Sequence, residues 1–241
     1  MADEPLGRKS TVRGSTVNMS VRHLIVEGQT EQQFAERILV QLAASKGIYV
    51  ITNPPKTGTN KRGISARGGG AWKHMVDPAR NFLRNPGIDK VGVLFDVYGS
   101  EFQKTHSELV GSELRNAVKR DATESILKGL DVDGNKLVVG PVLYEFETLV
   151  IAALASGTTK EKPAVVREAR AAVTKTHGDV EAINGSVVTS PSHRVAKWWE
   201  DKLGKRYEKQ IDGPRILNEV PWPILKEACP TFAQWVDEFL D

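Results

Sequence analysis

Two glutamates four residues apart, Glu27 and Glu31, follow an apolar run and straddle a glycine in LIVEGQTEQQF (24–34). A second apolar run, KVGVLFD, ends on Asp96, and a third, KLVVGPVLYEF, reaches Glu145 and continues to Glu147. Parallel sheets place their ligand sites at the carboxyl ends of the strands, so these acidic groups are expected to meet at one edge of a sheet. Each close pair of like charges there costs on the order of 4 kcal/mol at an effective dielectric of about 20. A divalent cation removes that cost, and hard oxygen donors suit Mg²⁺ or Mn²⁺. Glu27, Glu31 and Asp96 are therefore candidate metal ligands, with Glu147 or Glu145 completing the shell. In a helix Glu145 and Glu147 point about 200° apart, whereas in an extended segment they share a face. The sequence leaves that choice open. Each acid also has a plainer role: Glu31 suits the dipole of a helix N-terminus, and Asp96 suits a turn.

The elements that must position these groups follow from periodicity. RHLIVEG reads as a strand, and Thr30 with Gln33 forms a capping box that starts a helix carrying Phe34, Ile38 and Leu42 on one face. GIYVIT (47–52) is a second strand, and 53–70 reads as a Pro-, Gly- and base-rich loop. A helix over 71–85 precedes the strand KVGVLFD, whose unbroken apolar run suits a strand covered on both faces. A helix over 108–127 leads to the strand KLVVGPVLYEF, where Pro141 marks an end or an edge. Phe146, Leu149, Val150, Ala153 and Leu154 form the next helical stripe, and helices follow over 163–175, 191–203, 214–219, 223–228 and 231–239. The alternation predicts an α/β fold with a mainly parallel sheet flanked by helices and a helical C-terminal extension. Residues 1–19 read as a disordered tail, 20–158 as the α/β domain, and 159–241 as the extension packed on that core.

Composition narrows the field. The 241 residues carry a net charge of only +3, so any basic surface must come from clustering. The single cysteine, Cys229, excludes an internal disulfide framework and a thiolate zinc cluster. The five histidines are scattered, without a metal-binding pair. No secretory signal is read, and the apolar run LVIAALA (149–155) is too short to span a bilayer. A cytoplasmic location without membrane contact is expected.

Two basic stretches are candidates for nucleic-acid contact. Lys61, Arg62 and Arg67 lie in the glycine-rich loop, where glycines 68–70 would let backbone N–H groups approach a phosphate, or the loop is a solvated connector. PSHRVAKWWEDKLGKRYEKQ (191–210) interleaves bases with Trp198, Trp199 and Tyr207. Its tryptophans read better as the buried face of an amphipathic helix, while Arg194 and Lys197 share a face and could hold phosphates. Asp212-Gly213-Pro214 reads as a turn, with Asp212 capping the next helix. Trp222, Phe232 and Trp235 read as packing residues. Tyr98 either donates a hydrogen bond at the site or packs at a strand end.

VEGQTE resembles the first motif of the Toprim domain, the metal-binding α/β module of topoisomerases, primases and OLD-family nucleases, in the form that the OLD-type nucleases use. LFDVYG resembles the second motif, a DxD, with Asp96 in the first acidic position and Tyr98 in the second. VEGQTEQQF, RGGG, FDVYG, YEFETL, the INGS and SPSHR segments, YEKQIDGPRI and CPTFAQWVDEFL together resemble a Toprim-like family of unknown function, domain of unknown function 4276, over 21–241. The resemblance implies a metal-dependent nuclease acting on DNA or RNA, with Glu27, Glu31, Asp96, Tyr98, Glu145 and Glu147 at its site. It also implies the effector of a prokaryotic anti-phage system, partnered by an ABC- or SMC-like ATPase; the sequence leaves the oligomeric state open, a homo-oligomer included. Topoisomerase and primase activities fit poorly, because the chain lacks room for gate domains and cysteines for a zinc ribbon. The missing second aspartate keeps a different class open, a catalytically silent Toprim-fold module that binds an ATPase or nucleic acid.

Overall fold

The structure, a computed structural model, describes residues 19–53, 56–59, 65–67, 72–183 and 189–241. The tail read over 1–19 falls outside them except for its last residue, as do Lys61, Arg62 and glycines 68–70. Strand β1 (Ser20–Val26) runs into one continuous helical stretch built from α1 (Gln29–Phe34), a π-helical turn (Ala35–Leu39) and α2 (Val40–Ser45). Then come β2 (Ile48–Asn53), a hairpin of β3 (Lys56–Thr59) and β4 (Ser65–Arg67), α3 (Lys73–Leu83) and β5 (Lys90–Asp96). α4 (Glu101–Thr105), α5 (Gly111–Leu127), β6 (Leu137–Val142) and α6 (Glu147–Ser156) complete the sandwich. The C-terminal helices are α7 (Pro163–Lys175), α8 (Pro191–Leu203), α9 (Lys209–Asn218), α10 (Trp222–Ala228) and α11 (Pro230–Leu240).

β1, β2, β5 and β6 form one sheet, parallel throughout, in the order β2-β1-β5-β6. The chain leaves β1 toward β2 and returns on its other side as β5, so the winding reverses between β1 and β5. Alternate strand residues feed two cores, as a two-residue side-chain period requires. Leu24, Val26, Leu94, Val138 and Val142 face the core that α1, α6 and the C-terminal helices cover. Ile25, Val91, Val93, Phe95 and Val139 face the core under α3 and α5. α11 lies directly on the sheet because two strand residues have no side chain. A Cβ on Gly92 would collide with Phe239, and one on Gly140 with Trp235. The Trp235 indole N–H also donates to the Val138 carbonyl at 3.3 Å, which ties α11 to β6.

Several expectations are corrected. The capping box at Thr30 and Gln33 is absent: α1 starts two residues earlier behind Gly28, with no side-chain cap, and Thr30 is buried in its first turn. The segment read as a loop over 53–70 contains the β3–β4 hairpin. The last strand stops at Val142 rather than reaching Phe146. Asp212-Gly213-Pro214 is not a turn but lies inside α9, which starts at Lys209, five residues before the expected helix. Proline is tolerated there because the carbonyl it leaves without a helical donor, that of Gln210, accepts from the Gln33 side-chain amide at 3.1 Å. That bond ties α9 to α1. Trp198, Trp199, Phe232 and Trp235 are buried, and Trp222 is partly so, as the packing reading expects.

His23 lies in the middle of β1, 4% exposed, with its ring stacked on Phe82 at 3.4 Å between centroids. Burial holds its pKa down to about 4, from an ordinary value of 6.5. A depressed folded-state value means that His23 contributes its full stability above pH 6.5 and loses it as pH falls toward 4, a total of roughly 3 kcal/mol. Urea denaturation across that range should show a steeper acid loss in the wild type than in His23→Phe. Identical slopes would mean that His23 carries no such penalty.

Candidate metal and catalytic site

The reversal of winding between β1 and β5 opens a crevice at their carboxyl ends. Glu27 follows β1 there, and its N–H extends the ladder by donating to the Leu94 carbonyl at 3.1 Å. Asp96 ends β5. Its N–H donates to Glu27 Oε2 at 3.0 Å, and its own Oδ1 accepts from the Phe146 N–H at 2.8 Å. Side chain-to-backbone bonds therefore lace together the ends of three neighbouring strands. Glu31 reaches the same place from the first turn of α1. It is 4% exposed, and the N–H groups of Gly28 and of Glu31 itself favour its charged form. Gly28 makes room for this fold-back, since a Cβ there would stand 2.9 Å from Glu31 Oε2.

The choice between Glu145 and Glu147 rests on the turn after β6. Tyr144 adopts φ 70°, a left-handed conformation uncommon for a bulky residue. The turn is pinned to the end of β5 by the Val97 N–H on the Val142 carbonyl at 3.0 Å and the Tyr98 N–H on the Tyr144 carbonyl at 2.8 Å. Past it, the two acids part. Glu145 accepts from the Ser192 N–H at 2.7 Å and from its hydroxyl at 3.0 Å, so it holds the N-terminus of α8. Glu147 opens α6, is wholly buried, and joins Glu27, Glu31 and Asp96.

Sequence reasoning placed Lys209 among the surface bases of 191–210. The structure puts it in the acidic cluster. Its ammonium stands 2.9 Å from Glu147 Oε2 and 3.9 Å from Asp96 Oδ2. The nearer contact is an ion pair without hydrogen-bond alignment, and Glu147 Oε1 has no partner at all. Burial raises the pKa of every carboxylate in the cluster, and neighbouring acids add to the shift of Asp96, Glu31 and Glu147. Asp96 lies well above the ordinary range, and Glu147 reaches about 7. Burial alone would lower Lys209, but Glu147, Asp96 and Glu31 outweigh it and hold the ammonium charged. The buried Tyr207 hydroxyl, also without a partner, faces this field, and burial pushes its pKa up.

The donors suit Mg²⁺ or Mn²⁺ in kind: hard carboxylate oxygens, one of them buried and unpartnered. As the side chains stand, no three acidic, histidine or cysteine groups among the described residues form a ready cation site. The Lys209 ammonium occupies that role, so an ion and the ammonium would compete for the same oxygens. Tyr98 is half-buried and lines a groove with Glu27 and Asp96. Arg194 turns back to donate to the Thr189 carbonyl at 2.6 Å, and Lys197 pairs with Asp201 at 3.1 Å. Only the backbone of Arg67 is described.

The family model for a domain of unknown function (DUF4276) matches residues 26–240. The chain belongs to that family. No curated protein and no solved structure gives a significant match. Among the described residues, no helix is long and apolar enough to cross a membrane.

Removing Lys209 leaves four clustered acids, two of them buried, without this ammonium. Lys209→Met should cost on the order of 2 kcal/mol near pH 8, after allowance for the partial exposure of the side chain. Near pH 5 the loss should shrink, because the raised carboxylates then take up protons instead. Chemical denaturation at the two pH values checks this, and an equal loss at both would refute the assignment.

Proposed function

We propose that this chain is a metal-dependent phosphodiesterase of the Toprim type, acting on DNA or RNA in the cytoplasm. We further propose that it is the effector of an anti-phage system and works with an ABC- or SMC-like ATPase. One observation carries the catalytic part: four carboxylates from distant parts of the chain, Glu31 and Glu147 buried and Glu27 and Asp96 partly so, meet at the crevice between β1 and β5 with one ammonium among them in the described residues. Fully ionised, the group is left with an excess of negative charge that a divalent cation would offset. The defence role and the ATPase partner rest on the likeness of the motifs.

Glu27, Glu31, Asp96 and Glu147 would hold the ion. Once bound, it would polarise a phosphodiester oxygen and lower the pKa of an attacking water. The chain's own groups set the stage. The Phe146 N–H fixes one Asp96 oxygen, and the Asp96 N–H fixes one Glu27 oxygen. Lys209 stays protonated at neutral pH, so it serves as a fixed cation and hydrogen-bond donor toward a phosphoryl oxygen, not as a base. Tyr98 offers a hydroxyl from the neighbouring groove. Glu145 is committed to α8 and positions the segment leading into α6.

A second reading has its own support. Lys209 already pairs with Glu147, which suits a silent Toprim-fold module that needs no metal. Cleavage of plasmid, single-stranded DNA and tRNA with Mg²⁺ or Mn²⁺, with and without the ATPase, separates the two. The hydrolase reading expects cutting that Glu27→Ala abolishes while circular dichroism stays unchanged. No cutting under any condition, with no metal binding by calorimetry, would leave the module.

A further inference from the structure

Two grooves flank the cluster, one lined by Glu27 and Asp96 and the other by Lys209, and they share no lining residue. The first, about 340 Å³, is lined by Glu27 and Asp96 together with Trp72, Phe95, Tyr98, Glu101 and Lys104. The Trp72 indole N–H is fixed to the Ser125 hydroxyl at 2.8 Å, and the ring packs on Phe95 and Phe102. The second groove, about 530 Å³, runs along residues 206–211 and includes Arg206, Lys209 and Gln210. Asp96 lines the first and Lys209 the second, and the Lys209 ammonium stands 3.9 Å from Asp96 Oδ2. A chain lying in both therefore crosses the carboxylates part-way along its length.

The cations at the two ends are free to take a ligand. Lys104 in the first groove, and Lys205 and Arg206 at the second, are exposed and make no ion pair among the described residues. Other surface lysines nearby are already engaged, Lys197 with Asp201 and Lys202 with Glu168. The first groove lies at the small end of the range for ligand sites, roughly 300 Å³ upward. That accommodates one nucleotide but not a stacked base pair. Its wall presents an aromatic ring, Tyr98, which suits the flat face of an unpaired base of any sequence.

We propose that the substrate is an unpaired nucleic-acid strand that passes across the carboxylates. One base enters the groove beside Tyr98, with a phosphate on Lys104, and the backbone on the other side lies on Lys205 and Arg206. The strand is thus held on both sides of the point where it would be cut, so it needs no free end. The place of cutting rests on the hydrolase reading, whereas the binding track can be measured without any cutting.

The test is fluorescence anisotropy of the full chain with a labelled strand of about 12 nucleotides, in EDTA and again in Ca²⁺. Three probes are compared: the linear single strand, a closed circular single strand, and a blunt duplex of the same sequence. The single strands should bind alike and on the order of tenfold tighter than the duplex. Lys104→Ala and the pair Lys205→Ala with Arg206→Ala should weaken binding, and each lost phosphate contact should lower the salt slope by about 0.7. Tyr98→Phe, which keeps the ring, should lose less affinity than Tyr98→Ala, and neither should change the salt slope. The exposed Lys and Arg changes are expected to fold normally, which circular dichroism checks. Duplex binding as tight as single-strand binding, a requirement for a free end, or unaltered affinity in the lysine and arginine variants would overturn the track. Strand binding without cleavage would leave the track standing and count against the hydrolase reading alone.

Discussion

The contact on which the site depends is the Lys209 ammonium set among Glu147, Asp96 and their two acidic neighbours. A lysine in the first turn of a helix opposes the helix dipole, so α9 gains nothing locally from having it there. The acids at the sheet edge supply the compensation. In return they fix where α9 begins and hold it against α1 and α6. The Gln33 amide on the Gln210 carbonyl and the close approach of Gly213 to Tyr207 serve the same junction. A proline inside α9, which by itself would weaken a helix, is accommodated because the carbonyl it releases is used to bind the neighbouring element.

The second constraint is the short turn after β6. Had the strand continued to Phe146, Glu145 and Glu147 would have shared a face and both would have entered the crevice. The left-handed Tyr144 ends the strand and directs the two carboxylates to different tasks. Glu145 satisfies the open N–H end of α8, and Glu147 is buried against Lys209. The same turn delivers the Phe146 N–H to Asp96. One strained residue thus organises the ends of two strands and the starts of two helices. Such strain is tolerated where surrounding bonds over-determine it, and the bonds from Val97 and Tyr98 to the turn do so here.

How much of this could be read in the sequence depends on the range of the interaction. The strands declare themselves because a parallel sheet covered on both faces demands unbroken apolar runs, and Glu27 and Asp96 stand out as the charges that end them. Glu31 is legible through its nearness to Glu27. Lys209 is not, because it lies more than a hundred residues from Asp96 and sits in a stretch rich in other bases. The start of α9 is hidden as well. Asp-Gly-Pro is a strong local turn signal, and only the tertiary bond from Gln33 and the packing of Tyr207 override it. The capping box failed for a related reason: a glycine cap with an inward-folded Glu31 keeps that carboxylate in the crevice, where a Thr30 cap would have begun the helix too late.

Charge balance then sets what the crevice can do. One ammonium among four acids, in the described residues, leaves the cluster short of positive charge whenever all are ionised; burial raises the pKa of each acid, and neighbouring acids add to the shift of Glu31, Asp96 and Glu147. The deficit can be met by protons, by movement of the acids toward water, or by a cation of higher charge. Protons serve in part, and Glu147, raised to about 7, takes one up near neutrality. Movement is restricted, since one oxygen each of Glu27 and Asp96 is fixed by backbone N–H groups and Glu147 is closed in by α6. A divalent ion, the cation of the proposed hydrolase, would meet the deficit with the backbone left in place. Because Lys209 holds its proton in that field, an ion bound there would have to share the oxygens with the ammonium or push it aside, and how far α9 holds Lys209 in would set how tightly the ion binds.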